Sequence, residues 1–480
     1  MMVRVFRHHI SLYAILLATL EVSFFVLGGL FLIGFVPGAV ALSYDGVDRD
    51  FLIASLSLAI FITVCSVGFY NRRATMRSEL RVVQWVVVLC LVSAVLGGVF
   101  LVYWSAFGQS EQFPFGLWGT TVAVYVLAAL VARFFFEYVI RDRAVLKKRI
   151  IVLGAGPQAE RIYNITQQDS QCLFEVIGFL RCNDGEDDEV KVGPLLHDEM
   201  RTERCALADF ADSNDVDEIV VTIRDRRRPK GQLGNGLPIW EMMDCKLRGI
   251  RVTEFATFWE RELGRVDLES IRPSWIIFSE GFDVSVVKRI FKRAFDLFFS
   301  TLFVLITLPI MLLAAIAIKL DSKGPVFYSQ ERVGRGGKTF SIRKFRSMRT
   351  DAEAGGAVWA KKNDDRVTRV GKFIRKTRID EIPQILNVLN GDMSFVGPRP
   401  ERPVFVKELE EQVPYYKERH RIKPGITGWA QINYPYGATV KDSCEKHTFD
   451  LYYMKNIGLF LDMVILMQTV RVVLFGEGAR

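Results

Sequence analysis

Residues 371–400 read GKFIRKTRIDEIPQILNVLNGDMSFVGPRP. A basic helical segment over 369–377 delivers two adjacent carboxylates, Asp380 and Glu381. Pro383 follows, then the apolar helical positions Ile385, Leu386, Val388 and Leu389, and the run stops at Asn390-Gly391. Gly397-Pro398-Arg399-Pro400 is a rigid turn that presents one guanidinium. Adjacent carboxylates repel, so basic neighbours or a metal must hold both ionised. Arg375, Lys376 and Arg378 stand just before the pair. Arginine binds phosphate in bidentate fashion, and magnesium takes carboxylate oxygens plus substrate phosphates. The constellation therefore suits a phosphate-bearing, metal-bound substrate. Taken alone, the dipeptide also reads as a solvated, charged helix start, so its setting has to decide.

The setting is half apolar. Of 480 residues, 50% are hydrophobic and 36 are Phe, and the apolar residues crowd into the first third. A net charge of +8 suggests a polyanionic partner. With so many apolar runs, a membrane surface and a phosphorylated substrate come before nucleic acid, which is not expected as a partner. The seven cysteines are scattered without C-x-x-C spacing, which argues against a disulfide framework or a zinc site and fits a reducing compartment. The apolar run from Leu12 is too long for a cleavable signal peptide.

Runs over 12–36, 51–70, 82–107 and 115–140 have spanning length, which predicts a four-helix transmembrane region over 1–145. Glu21 and Arg133 interrupt two of them and read as packing or snorkelling positions. Basic flanks (Arg4 and Arg7, then 72–81, then 141–149) alternate with the acidic loop holding Asp45, Asp48 and Asp50. The positive-inside rule then places the N-terminus and everything after residue 140 in the cytoplasm.

Residues 149–160, RIIVLGAGPQAE, are an apolar strand running into G-x-G and a helix. That is the first βα unit of a nucleotide-binding fold. Further strands at 174–180, 218–223 and 248–252, with a helix at 239–247, predict an α/β Rossmann-like domain over 146–267. Only Gly154 and Gly156 of the glycine fingerprint are in place; Ala159 holds the third position and Pro157 the helix entrance. The reading is a degenerate nucleotide-binding module used for scaffolding, dimerisation or regulation. A working NAD site, and with it a sugar-nucleotide dehydratase or epimerase, is the alternative from another enzyme class. An inert membrane scaffold is a third.

A linker is expected over 268–283. Then Lys288, Arg289, Lys292 and Arg293 alternate with Val286, Val287, Ile290 and Phe291, a basic amphipathic helix suited to anionic headgroups. It leads into an apolar run, 297–318, broken by Pro309, with basic flanks on both sides. A helix over 296–320 that bends at Leu308-Pro309 and re-emerges on the same side satisfies both features, with Thr307 placed to fill a freed carbonyl. The remainder, 284–480, is a mixed α/β catalytic domain.

From about residue 288 onward the chain resembles the bacterial sugar transferases, the monotopic polyprenyl-phosphate phosphoglycosyl transferases. The matching stretches are KRAFD, the proline-broken helix, GPVFYSQERVG, KFRSMR, the run from Asp364 to Glu401, and KPGITGWAQ. The whole chain resembles the long subgroup, in which a four-helix membrane region and a Rossmann-like domain precede the catalytic module. The resemblance implies transfer of hexose 1-phosphate from a UDP-sugar, commonly UDP-glucose or UDP-galactose, to undecaprenyl phosphate at the inner membrane. UMP is released, and exopolysaccharide, O-antigen or lipopolysaccharide assembly begins. It makes Asp380 the nucleophile, and Glu381 a partner that binds Mg²⁺, positions the lipid phosphate or acts as base. It places Lys344, Arg375 and Arg399 at the substrate phosphates. Arg346, Arg378, Glu401 and Asp450 are further candidates, and a homodimer is plausible on the same ground.

Overall fold

A computed structural model describes residues 2–5, 8–35, 49–66, 93–94, 98, 115–136, 138, 147–168, 172, 174–182, 193–196, 205–223, 237–271, 273–282, 285–350, 352, 365–435, 437 and 439–474. Short strands β1 (Met2–Val5) and β2 (His8–Ser11) precede three apolar helices, α1 (Leu12–Phe35), α2 (Arg49–Ser66) and α3 (Phe115–Phe135). The stretch Leu12–Leu32 is long and apolar enough to cross a membrane. Small residues let these helices approach closely: Gly28 lies against Val124 and Ala128, and Gly29 against Ile53 and Tyr125. Glu21 is fully buried, so it takes the packing role rather than the snorkelling one. The expected span over 82–107 lies outside the described residues apart from 93, 94 and 98.

The middle domain is a parallel sheet of order β4-β3-β5-β6, built from β3 (Lys148–Leu153), β4 (Phe174–Leu180), β5 (Glu218–Val221) and β6 (Arg251–Glu254). Alternate residues bury on opposite faces, as the two-residue strand period requires. Ile151, Leu153, Ile219 and Val221 pack toward α5 (Ala206–Ser213) and α6 (Ile239–Leu247). Ile150, Val152 and Val220 pack toward α4 (Pro157–Gln168) and α7 (Phe255–Leu263). The sequence-based expectation of a linker over 268–283 is corrected here. Leu268 and Ile271 are buried, and Ser270 accepts a hydrogen bond from Gln158 at 2.7 Å, so the start of that stretch belongs to the domain.

After α8 (Pro273–Phe278) comes α9 (Val286–Asp321), the second helix long and apolar enough to cross a membrane. Pro309 lies inside a continuous helical run, so the expected break at Leu308-Pro309 is not a break in the helix. Thr307 Oγ1 donates to Phe303 O at 2.7 Å. The carbonyl that Pro309 deprives of a donor is that of Leu305, four residues back, so Thr307 does not fill it.

The cations at the start of α9 also differ from expectation. Lys292 Nζ turns inward to Asp462 at 2.8 Å and Val396 O at 3.1 Å. Arg293 caps the end of α11 (Ile385–Asn390) through Val388 O and Leu389 O at 2.6 and 2.7 Å. Arg289 stays exposed, and so do Val286, Val287, Ile290 and Phe291. Residues Asp296, Ser300, Thr307, Ala314 and Ile318 bury one stripe, while Leu305, Ile306, Leu312, Leu313 and Ile316 leave the other face apolar and open. Both ends of α9 touch the same module: Asp296 accepts from Ser394 and Phe395, and Asp321 accepts from Val370 N.

The rest of the module is an antiparallel hairpin, β7 (Phe327–Val333) with β8 (Thr339–Phe345), and a short parallel pair, β9 (Ser394–Val396) with β10 (Gly425–Thr427). Around them lie α10 (Arg369–Lys376), α11, α12 (Pro403–Gln412), α13 (Trp429–Asn433), α14 (Val440–Lys455) and α15 (Leu459–Leu474).

Candidate active site

Thr368 caps α10 by accepting from Gly371 N at 2.9 Å. The helix ends at Thr377, and Arg378 takes a left-handed conformation at φ 60° that turns the chain. Residues Ile379–Gln384 then form a 3₁₀ turn carrying Asp380 and Glu381. Pro383 fits there because a tight turn leaves its missing donor unneeded. The chain continues through α11, whose end is marked by Gly391 at φ 94°, into β9 and the Gly397-Pro398-Arg399-Pro400 turn.

That turn is held by its neighbour. Gly397 N donates to Thr427 O and Gly425 N to Pro398 O, both at 2.9 Å. A side chain at Gly425 or Gly428 would fall on the backbone of Gly397, so both glycines are there for close approach.

The two carboxylates have unlike surroundings. Glu381 Oε1 accepts from Lys344 Nζ at 2.9 Å and Arg399 Nη2 at 2.6 Å. Its Oε2 is met more loosely, by Arg399 Nη1 at 3.5 Å and Arg378 Nη1 at 3.8 Å. Burial would raise its pKa, but Arg399 and Lys344 hold the carboxyl well below the ordinary range. The Asp380 carboxyl makes no hydrogen bond or ion pair among the described residues, although the residue is only 9% exposed. Burial, with the Glu381 anion beside it, raises its pKa to about 6 against the pull of Lys344, Arg375 and Arg378. Burial lowers the Lys344 ammonium, and Glu381 opposes that shift. The Arg375 side chain also makes no bond among the described residues.

An anion clamped through one of its oxygens thus lies next to an available carboxyl with a pKa near 6, with one guanidinium in reserve. The bacterial sugar transferase family model matches residues 287–476, which contain all of these groups. An undecaprenyl-phosphate glucose phosphotransferase of Komagataeibacter xylinus is 32% identical over 384 residues, covering 77% of this chain and 68% of the relative.

The chain belongs to the bacterial sugar transferase family.

Other relatives match shorter and longer shares of the chain. A UDP-N-acetylgalactosamine-undecaprenyl-phosphate N-acetylgalactosaminephosphotransferase of Aeromonas hydrophila is 42% identical over 243 residues, 50% of this chain and 57% of that protein. An undecaprenyl-phosphate galactose phosphotransferase of Salmonella typhimurium is 29% identical over 98% of both chains. The three names carry three sugars and one acceptor.

The remaining sequence-predicted residues of this transferase fall into three places. Arg346 makes no bond to the carboxylates: it is buried and donates to Ser322 O and Lys323 O at 2.7 and 3.0 Å, tying the end of α9 to the end of β8. Glu401 pairs with Arg332 at 3.5 Å, and Asp450 with Arg419 at 2.8 Å, both one layer behind Arg399. Gly154 and Gly156 lie in the middle domain. Gly154, at φ 113°, donates to Leu180 O and lies against Thr222, while the Gly156 carbonyl accepts from Ala159 and Glu160 in the first turn of α4.

Sequence reasoning missed Arg332 and Arg419. Arg332 stands inside the quoted GPVFYSQERVG and Arg419 just before KPGITGWAQ, among many exposed cations, and only burial separates them from the rest. The donor set is also compatible with magnesium. It takes one or two carboxylates and completes its shell with substrate phosphates and water, and Asp380 and the loosely met Glu381 Oε2 are the oxygens left for it.

Proposed function

We propose that this sugar transferase moves hexose 1-phosphate from a UDP-sugar to undecaprenyl phosphate at the cytoplasmic face of the bacterial inner membrane, starting polysaccharide assembly. The division of labour between Asp380 and Glu381 carries the reading. An Asp380 oxygen attacks the sugar-proximal phosphorus. The bond from that phosphorus to the bridging oxygen breaks, and UMP leaves with the oxygen and its electron pair. An oxygen of undecaprenyl phosphate then attacks the same phosphorus. The bond to Asp380 breaks, and the carboxylate is regenerated. Splitting the exchange into two steps spares the enzyme a ternary complex of soluble and lipid substrates.

Glu381, kept anionic by Lys344 and Arg399, holds those cations beside the diphosphate. Arg375 is available to a phosphate oxygen in bidentate fashion. Mg²⁺ held by Asp380 and Glu381 would neutralise phosphate charge and polarise the phosphoryl oxygens.

Helix α9 keeps the module at the membrane surface. Its contacts at Asp296 and Asp321 would lie about 37 Å apart on a straight helix, more than the ~30 Å hydrocarbon core. A helix crossing that core would set them on opposite sides, yet both belong to one module. The exposed apolar face supports a helix that enters and leaves on the same side.

Purified protein given UDP-glucose, UDP-galactose or UDP-N-acetylgalactosamine, with and without undecaprenyl phosphate, tests the reaction. One donor is expected to release UMP, and without acceptor a phosphosugar adduct should be found on the peptide containing Asp380. UMP release that survives Asp380→Asn would remove the nucleophile assignment.

A further inference from the structure

Proline carries no N–H, so a Pro-Arg-Pro turn offers the protein mainly carbonyl oxygens to grip. All three carbonyls of Pro398-Arg399-Pro400 are held. Pro398 O accepts from Gly425 N at 2.9 Å, Arg399 O from Arg419 Nη2 at 3.0 Å, and Pro400 O from Arg332 Nη1 at 3.2 Å. The middle grip comes from the more deeply held cation. Arg419 is 6% exposed; its Nη2 also donates to Asp450 Oδ2 at 2.8 Å, and its Nη1 to the Tyr416 hydroxyl at 2.7 Å. Asp450, 2% exposed, sits on α14, in the best-buried part of that helix.

A chain of contacts therefore runs from Asp450 through Arg419 to the backbone of Arg399, and from the Arg399 side chain to Glu381. We infer that Arg419 is a positioning residue for the transfer reaction: held by Asp450, it fixes where the Arg399 guanidinium meets Glu381. Lysine cannot replace it, because one ammonium lacks the planar fork that reaches Arg399 O, Asp450 and Tyr416 together. The inference rests on the reading of Arg399 as a working clamp.

The test is a double-mutant cycle on UMP release, with folding followed by thermal unfolding of the full-length protein. Arg419→Lys is expected to lower kcat/KM on the order of 10- to 100-fold in the native background, the scale of a small misplacement at a reacting centre. In an Arg399→Ala background the same change should cost less than about threefold, because an effect transmitted through Arg399 has nothing left to act on. An equal loss in both backgrounds, or no loss in either, overturns the positioning role while leaving the clamp intact. Full activity of Arg399→Ala alone overturns the clamp, and the inference with it. If Arg419→Lys does not fold, Asp450→Asn goes through the same two backgrounds with the same outcomes decisive.

Discussion

Among the described residues, Glu218 and Glu381 are each held by a lysine and an arginine, and only Glu381 sits in the candidate site. In the middle domain, Glu218 accepts from Arg261 at 2.8 and 2.9 Å, from Lys148 at 3.2 Å and from Thr253 at 2.6 Å. Its chain neighbours are Asp217, which accepts from the backbone of Arg149, and the core residue Ile219. Burial would raise the Glu218 pKa, but Arg261 holds it low. Every charge there is spent on the fold. In the catalytic module, Glu381 is held in the same manner, but the Asp380 carboxyl next to it has no hydrogen bond or ion pair among the described residues. A buried ion pair is weak evidence of function by itself. The unspent carboxyl beside it is what marks a reacting group.

That contrast can be broken most decisively at Asp380. Asp380→Asn should reduce UMP release by at least about 10³-fold, the scale seen when a nucleophile is removed. The same variant should be more stable, not less. A carboxyl whose folded pKa is raised contributes stability that is full below its unfolded pKa and lost as pH rises through the folded value of about 6. Removing the charge should therefore gain on the order of 1–3 kcal/mol at pH 7.5 and almost nothing at pH 4. Equal thermal shifts at the two pH values would contradict the assignment.

Next in size are the two glutamates. Glu218→Gln breaks a buried pair and should destabilise the middle domain by about 3–5 kcal/mol, with activity lost only in step with unfolding. Glu381→Gln should lose activity at temperatures where the protein is still folded. If activity in the two variants tracked unfolding equally, the distinction between architecture and site would collapse.

The smallest effect is on pH. With Asp380 as the nucleophile, kcat/KM should fall about tenfold per unit below pH 6 and level off above it. A profile flat from pH 4.5 to 7.5 would place the essential ionisation elsewhere.

Much of this was legible in the chain itself. The α4 and α6 segments and the four middle strands followed from apolar periodicity and turn residues, because strand and helix periods are local properties. Asp380, Glu381, Lys344 and Arg399 could be named because they lie in stretches whose order resembles a family. The inward turn of Lys292 and Arg293 could not be read. A basic amphipathic helix looks the same whether its cations meet headgroups or the carbonyls of another helix. The bonds of Arg346 could not be read for a related reason: its neighbours in sequence lie in the site stretch, but its guanidinium reaches the end of α9.

The sequence by itself determined the order of the parts: apolar helices, a parallel α/β domain, and a module with two adjacent carboxylates among cations. These are matters of local pattern and composition, and no folding is needed to see them. Only the tertiary structure decided how the carboxylates differ. Two neighbours in a chain have almost the same local environment until distant residues arrive, and here Lys344 and Arg399 come from β8 and the proline turn. Both close on Glu381, and Asp380 is left buried, charged at a cost, and available.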